Sequence, residues 1–149
     1  MTHNRLPIVL AILMAATAIY GQDEQNQPAP KHPIDVAMDK CLEANHATMP
    51  RAKCYSTASE SWQAAVKTSY AELLTLLPAS GRPALRKSQA AWKQYEAGEA
   101  EVIMTMYGKK TGTGYVSVRI TLLMKAYRDR ALELQSHVQH YTPESETTE

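Results

Sequence analysis

Apolar side chains recur at intervals of three and four residues along most of this chain, and beyond residue 21 no run alternates strictly between apolar and polar. Such spacing lays one oily stripe along an α-helix, whereas a strand would need a period of two. Four helices are predicted. The first covers about Ile34 to His46, with Pro33 at its start and Asp35 in its first turn, where an absent amide hydrogen and a negative charge both fit. Pro50 is expected to mark a turn. The second helix covers about Arg51 to Leu77 and buries Ala58, Trp62, Ala65, Val66, Ser69, Leu73, Leu76 and Leu77; Pro78 and Ser80-Gly81 end it. The third begins near Pro83 and places Leu85, Gln89, Trp92, Glu96, Glu99, Ile103 and Met106 on one side, with Gly98 as a weak point, a kink or a close helix contact. Gly108 stops it. After a glycine-rich loop from Lys109 to Gly114, the fourth helix covers about Tyr115 to Gln139 and buries Val116, Ile120, Leu123, Tyr127, Ala131, Leu134 and Val138. Short connections between long amphipathic helices favour antiparallel neighbours, so the expected fold is all-α, a small antiparallel bundle of about four helices.

The start of the chain follows different rules. Arg5, the apolar run from Leu6 to Tyr20 and the small residues from Ala16 to Gly21 read as a secretory signal peptide over residues 1–21. That run is shorter than the roughly 20 residues a spanning helix needs, so no membrane anchor is expected after cleavage. Residues 22–33 read as a polar, proline-rich disordered leader, 34–140 as the folded domain and 141–149 as a disordered acidic tail. The product is expected in the periplasm or outside the cell.

Charge and cysteines narrow the picture. The chain carries Lys+Arg 16 against Asp+Glu 15, and its signal segment holds Arg5 and no acid, so the remainder is balanced. A neutral chain with no aromatic-basic stripe is not a nucleic-acid binder. Cys41 and Cys54, in an exported chain, read as one structural disulfide; a reactive thiol pair would favour a tighter spacing.

In order, Cys41, Thr48, Cys54, Trp62, Tyr70, Leu73, the string Leu85-Arg86 with Gln89, Ala91, Trp92 and Tyr95, a glycine-rich turn, then Arg130 and Leu134 resemble the LprI-type lysozyme inhibitor domain. The resemblance covers about residues 35 to 137. It implies a small exported helical protein, without enzymatic chemistry, that binds a protein partner and inhibits lysozyme. Members commonly carry four cysteines; the second pair would fall near Ala100 and Leu122, and both are absent together. Glu96-Ala97 stands where the family has Arg-Asp. The contact between the third and fourth helices is therefore expected to rest on packing alone.

Inhibition needs a surface that occludes a cleft in which two carboxylates cleave a glycosidic bond. Lys109 and Lys110, beside Gly112 and Gly114, are the candidates to enter it, since lysine heads meet carboxylates and glycine permits close approach. The plain alternative is a solvated connector. Trp92 and Tyr95 are candidate anchors, or core residues. Arg86 completes the candidate set, or forms an ion pair with Glu96, Glu99 or an acid of the fourth helix. Glu99 is in register to be partly buried and is the residue on which an unrecognised hydrolase would depend; an interaction module for another envelope protein is the other competing class. His137 and His140 share a face but lack further ligands for zinc, so no metal and no cofactor are expected. Neutral charge weighs modestly against a strongly basic target, which an acidic partner would capture faster.

Overall fold

Proline and histidine start the fold at residue 33. In the computed structural model, which describes residues 30–141, Pro33 occupies the first position of helix α1 (Pro33–Ala44), where its missing N–H costs no hydrogen bond, and His32 Nδ1 accepts from the backbone N–H of Ile34 at 3.2 Å. The chain divides into units Met1–Pro30 and Lys31–Glu149, and every described helix belongs to the second. The expected signal peptide, most of the leader and the tail after Tyr141 lie outside the described residues.

Helix α2 (Thr48–Leu76) begins earlier than the sequence suggests. Pro50 does not mark a turn. It sits in the first turn of α2, where amides have no intrahelical acceptor, so a proline is accommodated without loss. The α1–α2 corner is closed from two sides. Cys41 and Cys54 form a disulfide with Cα atoms 5.7 Å apart, and Arg51 donates to the carbonyls of Leu42 (3.1 Å) and Asn45 (3.3 Å), satisfying acceptors that the end of α1 leaves open. Leu77 caps α2, Arg82 donates back to the Leu77 carbonyl at 3.1 Å, and α3 (Arg82–Tyr107) follows. Gly108 ends α3; a side chain there would collide with the Met104 carbonyl. Gly98 makes no close contact and α3 runs through it. Helix α4 (Thr113–His140) starts after Gly112, whose φ of 112° is one that glycine alone adopts without strain. Gly114, expected in the loop, lies in its first turn.

Pairwise contacts set the topology. His32 lies against Trp62 while Cys41 joins Cys54, so α1 and α2 are antiparallel. Asp35 meets Arg128 while Asp39 shares a hollow with Thr121, so α1 and α4 are antiparallel too. Gln89 reaches Arg130 and Tyr107 reaches Arg119, which runs α3 against α4. It follows that α2 and α4 point the same way, and these parallel partners share the most extensive contact in the fold. Neighbours in sequence are antiparallel, as expected, but α3 packs on α4 and leaves a hollow between itself and α2.

The core lies along the α2–α4 seam: Ala58, Trp62, Val66 and Leu73 from α2, Met124, Ala131 and Leu134 from α4, with Leu85 from α3. Small residues at Ala58, Ser59, Ser69 and Ala131 let the two axes approach. Trp62 is 0% exposed. Its Nε1–H meets no acceptor among the described residues, a cost of about 1–3 kcal/mol. Burying so large a ring contributes roughly 4–6 kcal/mol, so burial wins.

The predicted stripes hold on α2 and differ elsewhere. On α4, Ala131 and Leu134 are fully buried and the other five predicted residues partly so, while Met124 and Arg130 are buried without having been expected. On α3, Met106 is 54% exposed and lines a groove with Leu122 of α4. No described helix is long and apolar enough to cross a membrane.

The disulfide closes a loop of about 14 residues, for which chain entropy gives roughly 3 kcal/mol. The double substitution C41A/C54A is expected to lower unfolding free energy by up to about that amount, read by urea unfolding with and without reductant.

Candidate partner-binding surface

The guanidinium of Arg130 organises the α3–α4 face. The residue is 5% exposed, and it donates through Nε and Nη2 to Gln89 Oε1 (3.1 and 3.0 Å), through Nη2 to Ser88 Oγ (3.1 Å) and through Nη1 to Glu133 Oε2 (2.8 Å). Its Cζ lies 5.9 Å from the centroid of the Trp92 ring. One helical turn along, Tyr127 donates its hydroxyl to Glu96 Oε1 at 2.7 Å and meets Trp92 edge-on at 5.8 Å. At the far end Arg119 donates to the Tyr107 carbonyl at 3.1 Å, and Tyr107 lies beside Tyr115. The expectation that α3 meets α4 by packing alone is thus overturned: three hydrogen-bonded posts hold it. Glu96, standing where the family has a different residue, supplies one of them.

Between the posts α3 and α4 leave a groove of about 620 Å³. Trp92, Tyr95, Val102, Met106 and Leu122 line it, with Glu99, Asp129 and Glu133 among its polar residues. Tyr95 is 58% exposed and Val102 is 51% exposed, and with Met106 they form an apolar strip facing solvent. The strip runs down α3 to the loop carrying Lys109 and Lys110. Both lysines are exposed and form no ion pair among the described residues. The loop is held at both ends, by Lys110 N–H donating to the Tyr107 carbonyl at 3.1 Å and by the backbone of Gly112.

The candidate residues do not form one compact site. Trp92 and Tyr95 share the groove; Lys109 and Lys110 continue its line; Arg86 lies toward α2 and lines the other hollow. From Arg86 to Lys109, α3 spans about 35 Å. Arg86 forms no ion pair among the described residues, against expectation: Glu96 and Glu99 stand about 15 and 20 Å further along the same helix, beyond the reach of its side chain. Trp92 is half-buried, serving as wall and packing surface together. His137 lies 4.0 Å from Glu133 and His140 contacts Ser136.

A second buried cluster escaped the sequence reading. Asp35, read only as a first-turn acid, is buried and takes a forked pair of hydrogen bonds from Arg128, at 3.0 Å from Nε and 2.7 Å from Nη2 to Oδ2, and Arg128 lies 5.6 Å from the Trp62 centroid. The pair joins α1 to α4 across 93 positions of sequence. No local pattern announces such a partner.

Comparison with known proteins places the chain. It belongs to the lysozyme inhibitor LprI family, whose model matches residues 37–134. Its fold is similar to the crystal structure of an uncharacterised protein from Burkholderia thailandensis, with a TM-score of 0.69 and 30% sequence identity over 76% of this chain and 57% of that one. The chain thus spans little more than half the length of that relative. Among curated proteins, nothing matches.

Arg130→Ala is expected to destabilise the protein by about 2–3 kcal/mol, since it removes hydrogen bonds from a charged donor and strands the Gln89 oxygen. Arg130→Lys should recover only part, because an ammonium cannot reproduce the fork. Urea unfolding reads both, with Lys125→Ala, which breaks an exposed pair with Asp129, as a near-neutral control.

The Tyr127 hydroxyl titrates high, at about 12 instead of the usual 10.0, first because burial disfavours the phenolate and then because it donates to Glu96. A group held neutral in the fold stabilises it fully below the unfolded value and loses that contribution as pH rises through the folded one. Stability should fall between pH 10.0 and about 12. Tyr127→Phe should remove that part of the fall and the last phenolate step in an ultraviolet titration.

Proposed function

We propose that this protein is an exported, non-enzymatic binding protein that captures and inhibits lysozyme. One observation carries the reading: an exposed apolar strip on α3, formed by Tyr95, Val102 and Met106, runs into a braced loop bearing two lysines that form no ion pair among the described residues. Family membership supports the partner class, and the disulfide suits an oxidising compartment. The strip supplies apolar area for a partner surface, and the lysines reach toward the cleft carboxylates that perform glycoside cleavage. Rigidity matters here. A loop tied at its base by Arg119 and Lys110 N–H to the Tyr107 carbonyl, and by Tyr115 N–H to the Gly112 carbonyl, loses less freedom on insertion than an untied one, so more of its contact energy appears as affinity.

The purified mature protein should slow lysozyme cleavage of cell walls. In K109A/K110A the inhibition constant should rise at least about tenfold, corresponding to about 1.4 kcal/mol. Inhibition unchanged in that variant would remove the loop from the interface; no inhibition by the wild type would remove lysozyme as the partner.

A further inference from the structure

Three basic side chains that form no ion pair among the described residues line a hollow on the opposite side of α3. The hollow between α2 and α3, about 550 Å³, is lined by Lys67 of α2 and by Arg86 and Lys93 of α3. None of the three forms an ion pair among the described residues, in a chain whose charges nearly balance. One acid, Glu96, shares the lining and accepts from the Tyr127 hydroxyl at 2.7 Å, so three basic side chains face a single carboxyl group around the hollow. Arg86 and Lys93 are seven apart on one helix, two turns along the same face, and Lys67 stands across from them. Like charges gathered around a concavity repel one another, and an anion bound among them would relieve that repulsion.

The remaining lining fixes the chemistry further. Tyr70 and Trp92 offer aromatic surface and Gln63 an amide, while Val66 and Ala90 provide apolar area. Aromatic faces accept the flat C–H side of a sugar ring, an amide pairs with hydroxyls, and an arginine fork with lysines takes a carboxylate or phosphate. The volume falls within the usual range for small-molecule sites. A nucleic-acid strand would need a longer basic track than three cations around one hollow.

We propose that the α2–α3 hollow binds an anionic saccharide, its ring against Trp92 and Tyr70 and its acidic group among Lys67, Arg86 and Lys93. Trp92 also borders the α3–α4 groove, but Tyr70 and the three basic residues do not, and the proposal stands whether or not lysozyme is the partner.

The test is a titration of the mature protein followed by calorimetry and by the Trp92 indole resonance, which is distinguishable from that of fully buried Trp62. Four probes are used: N-acetylmuramic acid, glucosamine 6-phosphate, neutral N-acetylglucosamine and inorganic phosphate. At least one acidic sugar should bind and shift the Trp92 signal, at least about tenfold more tightly than the neutral sugar or phosphate alone; which one does so separates a carboxylated from a phosphorylated ligand. The triple substitution K67A/R86A/K93A should weaken that binding at least about tenfold, and Arg86→Gln alone gives the same direction should the triple variant unfold. Equal binding of the neutral sugar, phosphate binding as tightly as the sugar acids, no Trp92 response to either acid, or undiminished binding by the variants would overturn the proposal.

Discussion

A guanidinium cannot leave water alone. Taking Arg130 into the α3–α4 contact carries a desolvation cost of several kcal/mol, recovered only if its donors find acceptors in good geometry. Gln89, Ser88 and Glu133 provide them, and Trp92 covers the cation. The requirement dictates where α3 sits. Its own burial is slight, confined to Leu85, Gln89 and Ile103, so apolar packing alone would hold it weakly. Satisfaction of that charge, together with the Tyr127–Glu96 and Arg119–Tyr107 hydrogen bonds, therefore fixes a helix that hydrophobic area holds only in part, and both concavities beside α3 follow from where it is held.

Arg128, two residues before Arg130 on α4, plays the matching part on the side that faces α1. Its fork onto Asp35 joins the first helix to the last, and the disulfide with Arg51 fixes the corner between. The α2–α4 seam supplies the hydrophobic bulk, while two arginines and one sulfur bridge position the outer helices against it. Bulk and placement are divided between different kinds of interaction.

That division explains what could be read in advance. Periodicity located all four helices and most of the seam, since Trp62, Val66, Leu73, Ala131 and Leu134 are ordinary stripe residues. Turn residues located four of the boundaries closely, the start of α1, the end of α2 and both ends of α3, and Pro50 misled because a proline before a helix and one within its first turn look alike in sequence. The polar ties were illegible. Asp35 with Arg128, and Glu96 with Tyr127, are pairs across the fold, and composition cannot say which arginine meets which acid. Arg130 was visible only as a member of the family string, and Gln89 there and on the stripe of the third helix, with no hint that the first is buried by bonding to the second. The groove was hidden for a related reason: Met106 keeps the helical register but borders a hollow that the side chains of α4 do not fill.

The posts that fasten α3 are few and sit at separate turns. Between them, Tyr95, Val102 and Met106 carry little of the structural burden, so their replacement leaves the fastening untouched. Such a helix can be rewritten on its outer side without unfolding the rest, and a scaffold of this construction is free to change what it grips over evolutionary time while its frame stays the same.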